Sequence, residues 1–215
     1  MYDLPYHKAT NEREIHEFIR EHPFAFVTGC DAQGRPVVTQ LPVLFEERDG
    51  RQFLSGHLMK NTDHHKAFQA SPDVLVVFSS PHVYVSGSWY SDPHTPSTWN
   101  YMSVHARGVL RFLGESDLLR ILKQTSLHFE GYEEGSPTAF DNLPTSMTAR
   151  LVKMIVAFEI EVASIDSVFK LSQDRDAESY QRIIEKLRQN GDAGRFIAAE
   201  MERRRGALFP KERKE

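Results

Sequence analysis

The sequence contains almost no cysteine. Cys30 is the only one in 215 residues, and a single thiol can form neither an intramolecular disulfide nor a cysteine metal cluster. No activating pattern surrounds it, so we interpret Cys30 as a small, half-buried residue. Disulfide scaffolds and zinc fingers are therefore excluded, and packing must supply the stability.

Long hydrophobic runs and an excess of basic charge are also missing. No apolar run approaches the roughly 20 residues of a membrane helix, and the N-terminal segment lacks the apolar stretch of a signal peptide. The 26 basic and 30 acidic side chains leave a formal net charge of −4, with ten histidines taken as neutral. With 40% hydrophobic residues, the chain can bury a sizeable core. We expect a folded cytoplasmic protein without a membrane partner.

Hydrophobic periodicity changes several times along the chain and predicts a mixture of helices and strands. Apolar spacing of three and four residues predicts helices over residues 11–22, 61–70, 116–129, 146–153, 177–189 and 193–205. Asn11 and Glu14 resemble a capping box at the start of the first of these helices. Gly191 and Gly194 are expected to break the last two. Short β-branched and aromatic runs predict strands over 24–30, 36–45, 52–58, 74–79, 83–90, 101–113 and 155–168. This pattern indicates an α+β protein built on a barrel or sandwich.

The segment from Ser55 to Ala67 concentrates polar and cationic side chains where a strand is predicted to end and a helix to begin. Such a junction presents free backbone N–H groups and the positive end of a helix dipole, which suits a phosphate. Lys60 would add a point charge, and His57 and Asn61 would add donors beside it. The alternative is a solvated turn capped by its histidines.

A second unusual segment carries both tryptophans. Trp89 and Trp99 flank a proline-containing loop over 91–97, which we interpret as a surface or active-site loop, and Asn100 and His105 follow. Aromatic side chains with polar neighbours suit a planar heteroaromatic ligand or a subunit interface. An ordinary aromatic core between sheets would show the same composition.

Metal and nucleic-acid sites have weaker support. His64 and His65 are adjacent and no His-Glu-x-x-His pattern occurs, so we expect no metal ligands, although a spatial pair such as His57 with His105 stays open as a metal or haem site. The one dense basic cluster is Arg203, Arg204 and Arg205, which continues to Lys211, Arg213 and Lys214. It suits either a DNA contact or a solvated helix end.

The motifs taken together resemble the PaiB-type family, the FMN-binding negative transcriptional regulators. The matching residues span nearly the whole chain: Met1, Tyr2, Pro5 and His7; 23–28; Gly34 to Pro42; Gly56 to Asn61; Pro81 to Ser86; 88–90; 98–101; Val104 to Gly108; and 170–173. The resemblance implies a flavin-reductase-like split β-barrel over residues 1–170 with peripheral helices. It also implies a helical C-terminal arm over residues 171–215, packed on the barrel or on a partner subunit.

The resemblance further implies a homodimer that binds FMN between its subunits and represses transcription in response to flavin or redox state. It places Thr39, His57, Lys60 and Asn61 on the phosphate and ribityl side, and Trp89, Trp99, Asn100 and His105 near the ring or the dimer interface. No catalytic residue is assigned. The alternative within this fold is an FMN-dependent oxidoreductase or a haem-handling enzyme. A lysine at position 60 offers the phosphate a point charge instead of the bidentate fork of arginine.

Overall fold

The structure is a computed structural model that describes residues 2–92 and 94–210. Its α-helices are α1 (Glu12–Glu21), α2 (Asp63–Ala70), α3 (Glu115–Phe129), α4 (Thr145–Met154), α5 (Ala177–Arg188) and α6 (Gly191–Leu208). Its strands are β1 (Phe24–Cys30), β2 (Pro36–Pro42), β3 (Leu44–Arg48), β4 (Arg51–Met59), β5 (Asp73–Ser79), β6 (Val83–Val85), β7 (Thr98–Phe112) and β8 (Ile155–Lys170). Over the described residues, every helix falls short of the length and apolarity that a bilayer crossing demands.

The chain forms two compact units. The barrel unit comprises residues 16–78 and 105–166, and the terminal unit comprises the remainder of the described chain. Strands β7 and β8 contribute residues to both units. The predicted division into a barrel over 1–170 and an arm over 171–215 stays a prediction.

The barrel unit is built on a sheet with the strand order β2-β1-β5-β7-β8-β4-β3. Strand β1 pairs antiparallel with β2 and β5, and β4 pairs antiparallel with β3 and β8. Alternate residues of β5 are buried, as expected for strands with one face on a core. Helix α2 packs on β1 and β2, and α3 packs on β4 and α4. This arrangement confirms the α+β split-barrel fold.

The terminal unit contains the helical pair α5 and α6, together with the hairpin of β6 and the start of β7. Tyr180, Ile183, Ile184 and Leu187 are each at most 1% exposed, which confirms that α5 has one apolar face. Gly194 does not separate the two helices as predicted but lies inside α6. A Cβ there would meet the Leu187 carbonyl oxygen at 2.4 Å, so glycine permits the close approach of α5.

Two predicted strands are shorter than the sequence pattern indicates. The run over 36–45 divides at Val43, whose N–H leaves the sheet to donate to the Pro23 carbonyl at 2.8 Å. The run over 83–90 ends at Val85, because Ser86 caps a 3-10 turn over Gly87–Trp89. Turn chemistry therefore overrides the β propensity of these residues.

Asp176 is expected to hold the start of α5. Its carboxylate accepts from the Ser179 N–H at 2.9 Å and hydroxyl at 2.6 Å and from the Ser91 hydroxyl at 2.9 Å, and these donors lower its pKa to about 2. Asp176→Ala should lower the free energy of unfolding by about 1–2 kcal/mol, whereas Asp176→Asn keeps a cap acceptor and should lose less. Urea unfolding measures the free energy of unfolding of both variants. Equal decreases for Asp176→Ala and Asp176→Asn would contradict the prediction.

The Asp176 carboxylate also makes the stability of the folded state depend on pH. Because the folded-state pKa lies below the ordinary value of 3.8, the stabilisation is present above pH 3.8 and is lost as the pH falls toward 2.

Candidate functional site at the turn between β4 and α2

The turn between β4 and α2 is shaped by a short network of local hydrogen bonds. Asn61 adopts a left-handed conformation with φ of 67°, which asparagine tolerates better than most residues. The Thr62 side chain caps α2 by accepting from the His65 N–H at 3.3 Å, and it donates to the Met59 carbonyl at 2.9 Å. The predicted junction of strand and helix is thus confirmed, with the helix beginning at Asp63.

The buried His65 side chain stabilises this turn. It is 8% exposed and packs edge-on against Phe112 with ring centroids 4.8 Å apart. The Asn61 N–H donates to His65 Nδ1 at 3.2 Å, which requires that nitrogen to be unprotonated. Burial first, and then the charges of His64, Lys60 and Lys66, lower the pKa of His65. The ring therefore stays neutral and keeps Asn61 in place.

Lys60 presents the positive charge of the turn. Its backbone N–H donates to the Met154 carbonyl at 2.9 Å, while its exposed ammonium donates a long bond of 3.4 Å to the Lys153 carbonyl and no other to the residues that the structure describes. Lys60 and Lys153 border a cleft of about 420 Å³ whose other walls include Leu118 and Val152. Sequence reasoning did not find Lys153, because it lies 93 residues beyond Lys60 and no local pattern joins them.

Part of the helix N-terminus is already occupied. The His64 N–H donates to the Asp63 carboxylate at 2.8 Å, and the His65 N–H is taken by Thr62. An anion at this turn would therefore be held by the Lys60 ammonium, the exposed Asn61 amide and the Asp63 N–H, the one N–H of the first turn that no described residue accepts. These donors fit a phosphate, and the negative charge of Asp63 weakens the site.

His57, Thr39 and His105 also lie in the barrel unit. His57 is half-buried on β4 opposite Ala157 of β8, and burial lowers its pKa. Thr39 is half-buried on β2 opposite Val27. His105 is half-buried on β7, where burial, reinforced by the Arg107 charge, lowers its pKa. Chain continuity places His57 beside Lys60 and Asn61, whereas grouping Thr39 and His105 with them stays a prediction.

The other three predicted site residues belong to the terminal unit. Trp99 is 52% exposed and contacts Tyr84 edge-on at 5.8 Å and His82 at 5.7 Å between ring centroids. Trp89 is half-buried at the end of the 3-10 turn. Asn100 is fully buried, and its amide already bonds to the Met201 sulfur at 3.5 Å and the Ser172 hydroxyl at 3.0 Å. A flavin contact from Asn100 would have to displace these partners.

The basic cluster on α6 is largely neutralised. Arg203 pairs with Glu200 at 2.7 Å, and Arg204 forms ion pairs with Glu14 and Glu200. Arg205 makes no ion pair within the described part of the chain, and Lys211, Arg213 and Lys214 lie outside it. Across residues 2–92 and 94–210, no group of three or more histidine, cysteine or acidic side chains could hold a metal ion.

Four histidines are expected to make the fold sensitive to mild acid. His7, His57, His65 and His105 all have pKa values lowered from 6.5, in each case chiefly by burial. Above pH 6.5 they are neutral in both states, and below it the unfolded chain binds protons first, so the free energy of unfolding falls. Urea unfolding at pH 7.5 and 5.5 should show the loss, and His65→Asn should reduce it. A pH-independent midpoint in this window would contradict the prediction.

Comparison with known proteins decides the family. Residues 1–164 match the family described as "Putative FMN-binding domain". The protein named "Protease synthase and sporulation protein PAI 2" from Bacillus subtilis is 36% identical over 189 residues, which cover 87% of this chain and 89% of that protein. This chain belongs to the PaiB-type family. Its β4–α2 turn lies within the residues that match this family.

Solved structures place the PaiB-type chain among split-barrel proteins. The FAD and heme binding protein from Mycobacterium smegmatis matches with a TM-score of 0.56 and 16% identity, covering 76% of this chain and 73% of that one. The flavocytochrome Anf3 from Azotobacter vinelandii matches with a TM-score of 0.57 and 16% identity, covering 79% and 72%. At this identity the likeness shows the fold alone.

Proposed function

We propose that this protein binds FMN and that the β4–α2 turn holds the phosphate of the flavin. The observation that carries the proposal is the Lys60 ammonium, exposed beside the left-handed Asn61 at the start of α2. A cation, an amide and the Asp63 N–H form a donor set that suits a phosphate. Membership of the FMN-binding-domain family supports the same assignment.

Beyond Lys60 and Asn61, the proposed site uses neutral and aromatic groups on the ribityl side and near the ring. His57 would offer an uncharged imidazole, because burial lowers its pKa, and Thr39 would offer a hydroxyl toward the ribityl chain. Trp89, Trp99, Asn100 and His105 would lie near the ring or the subunit interface. Bound FMN would supply redox chemistry at its ring, while the protein residues bind and orient it.

We propose that the protein is a homodimer. Tyr84 and Trp99 contact each other edge-on at the surface of the terminal unit, where they are 48% and 52% exposed, and exposed paired aromatics of this kind favour burial against a partner. Sedimentation at micromolar concentration should give a dimer, and Trp99→Ser should shift it toward monomer. A monomeric wild-type protein would refute this assignment.

The biological role we propose is negative regulation of transcription, set by bound flavin or its redox state. The Bacillus subtilis relative is named "Protease synthase and sporulation protein PAI 2", and a name that refers to sporulation supports a regulatory role. A DNA contact through Arg203 and Arg204 would have to compete with their ion pairs to Glu14 and Glu200. Gel shifts with duplex DNA should weaken steeply as salt rises if phosphates are bound.

A visible spectrum of the natively purified protein, followed by titration with FMN, tests the cofactor. Flavin absorption bands or quenching of FMN fluorescence on binding would support the proposal. A Soret band would instead favour the haem-handling alternative. A colourless protein that also ignores added FMN would refute flavin binding.

A further inference from the structure

A second cleft lies in the barrel unit, away from the β4–α2 turn. It has a volume of about 330 Å³ and is bordered by the end of α1, by β3 and β4, and by the end of α3. Small-molecule pockets begin at about 300 Å³. None of the residues assigned above to FMN binding lines it, so it calls for a separate explanation.

The cleft is lined by an arginine whose charge is not paired with a carboxylate of the described chain. The Arg20 guanidinium lies over the Phe45 ring at 5.0 Å from its centroid, and no carboxylate pairs with it within the described chain. Glu46 also lines the cleft, but its carboxylate lies 3.6 Å from Arg48 Nε and is partly neutralised there. The stacked Arg20 therefore offers its N–H fork to an anion at low entropic cost.

The lining of the cleft also contains a hydroxyl that no described residue binds. Ser55 on β4 is 5% exposed and lines the cleft, and its hydroxyl makes no hydrogen bond to any residue that the structure describes. The hydroxyl oxygen opens into the cleft instead of being sealed in the core, so a ligand in the cleft can reach it. A ligand that donates to or accepts from Ser55 would satisfy it.

The lining also includes an aromatic residue in an unusual backbone conformation. Tyr132 has a left-handed backbone with φ of 62°, uncommon for a bulky residue. Its N–H donates to the Leu127 carbonyl at 2.7 Å, and its phenolic oxygen lies 3.0 Å from His128 Nδ1. These bonds fix an aromatic ring at the edge of the cleft, where Leu127 adds an apolar surface.

We propose that this cleft binds a small aromatic carboxylate that carries a polar ring substituent. The carboxylate would pair with Arg20, the ring would pack against Leu127 and Tyr132, and the ring substituent would hydrogen-bond with Ser55. A guanidinium for the carboxylate and a hydroxyl for the ring substituent, both on the lining of one cleft, favour this class over neutral aromatics and over simple anions.

The test uses 4-hydroxybenzoate as the probe, with 4-hydroxybenzamide and benzoate as matched compounds, and measures affinity by calorimetry or ligand-observed NMR. Arg20→Gln should weaken 4-hydroxybenzoate about tenfold and change 4-hydroxybenzamide less than twofold, because only the former loses a charged contact. Ser55→Ala should weaken 4-hydroxybenzoate several-fold and leave benzoate unchanged. Arg35→Gln is the control, since Arg35 is an exposed arginine paired with Asp31 on the turn between β1 and β2.

Three results would overturn the proposal. The first is an absence of 4-hydroxybenzoate binding at about 10 mM. The second is an affinity that Arg20→Gln leaves unchanged or that Arg35→Gln lowers equally. The third is displacement of the probe by FMN, which would show that the cleft is not a separate site. None of these results depends on whether FMN binds at Lys60. The proposal for this cleft and the proposal for the β4–α2 turn can therefore be refuted separately.

Discussion

Replacing Lys60 with alanine is expected to weaken FMN binding about ten- to a hundredfold. The variant removes the exposed ammonium that we assign to the phosphate, and a charge-assisted contact typically contributes about 1.5–3 kcal/mol. The fold should tolerate the change, because the ammonium makes one hydrogen bond within the described residues, the long one to the Lys153 carbonyl at 3.4 Å. Thermal unfolding of the protein without flavin should therefore barely move.

Three comparisons separate a phosphate contact from other effects of this substitution. Lys60→Arg should retain more affinity than Lys60→Ala, since the charge persists. Riboflavin, which has no phosphate, should lose less affinity than FMN. Lys66→Ala provides the matched control, because it removes an exposed lysine from α2 near the same turn. Affinities are measured by fluorescence titration. If Lys60→Ala lowers the affinity for FMN and for riboflavin equally, the phosphate assignment is wrong.

Gly108→Ala is expected to cause the largest loss of stability. A Cβ at this position of β7 would lie 2.2 Å from the Glu161 carbonyl oxygen and 2.7 Å from Cγ2 of Ile160. The first of these atoms is backbone of β8, so relief requires the two strands to move apart. Overpacking of this kind costs about 3 kcal/mol, which for a chain of this size corresponds to a fall in Tm of about 6–12 °C.

The matched control for Gly108 is Gly135 in the same unit. A Cβ at position 135 would have no atom within 4 Å. Gly135→Ala should therefore change the free energy of unfolding by less than about 0.5 kcal/mol. Calorimetry of the two variants makes the comparison. A Gly108→Ala protein as stable as the Gly135→Ala protein would show that β7 and β8 have more room than the structure indicates.

Local patterns predicted most of the secondary structure. The spacing of Phe18 and Ile19 predicted the buried face of α1, and both are at most 3% exposed. Asn11 caps this helix by accepting from the Glu14 N–H at 3.0 Å, as the capping box predicted. The Glu14 carboxylate departs from the motif, since it accepts from Thr10 instead of Asn11. Such features depend on residues within one or two turns, which the sequence shows directly.

The sequence alone determined the order of helices and strands, the family resemblance, and the cationic turn at Lys60 and Asn61. Only the tertiary structure decided that Lys153 borders the same cleft as Lys60, that Arg204 pairs with Glu14, and that the Asn100 amide is already bonded. It also placed Arg20 and Ser55 in one cleft. Each of these contacts joins residues far apart in the chain, and no local periodicity encodes which of many distant side chains will meet once the strands have paired.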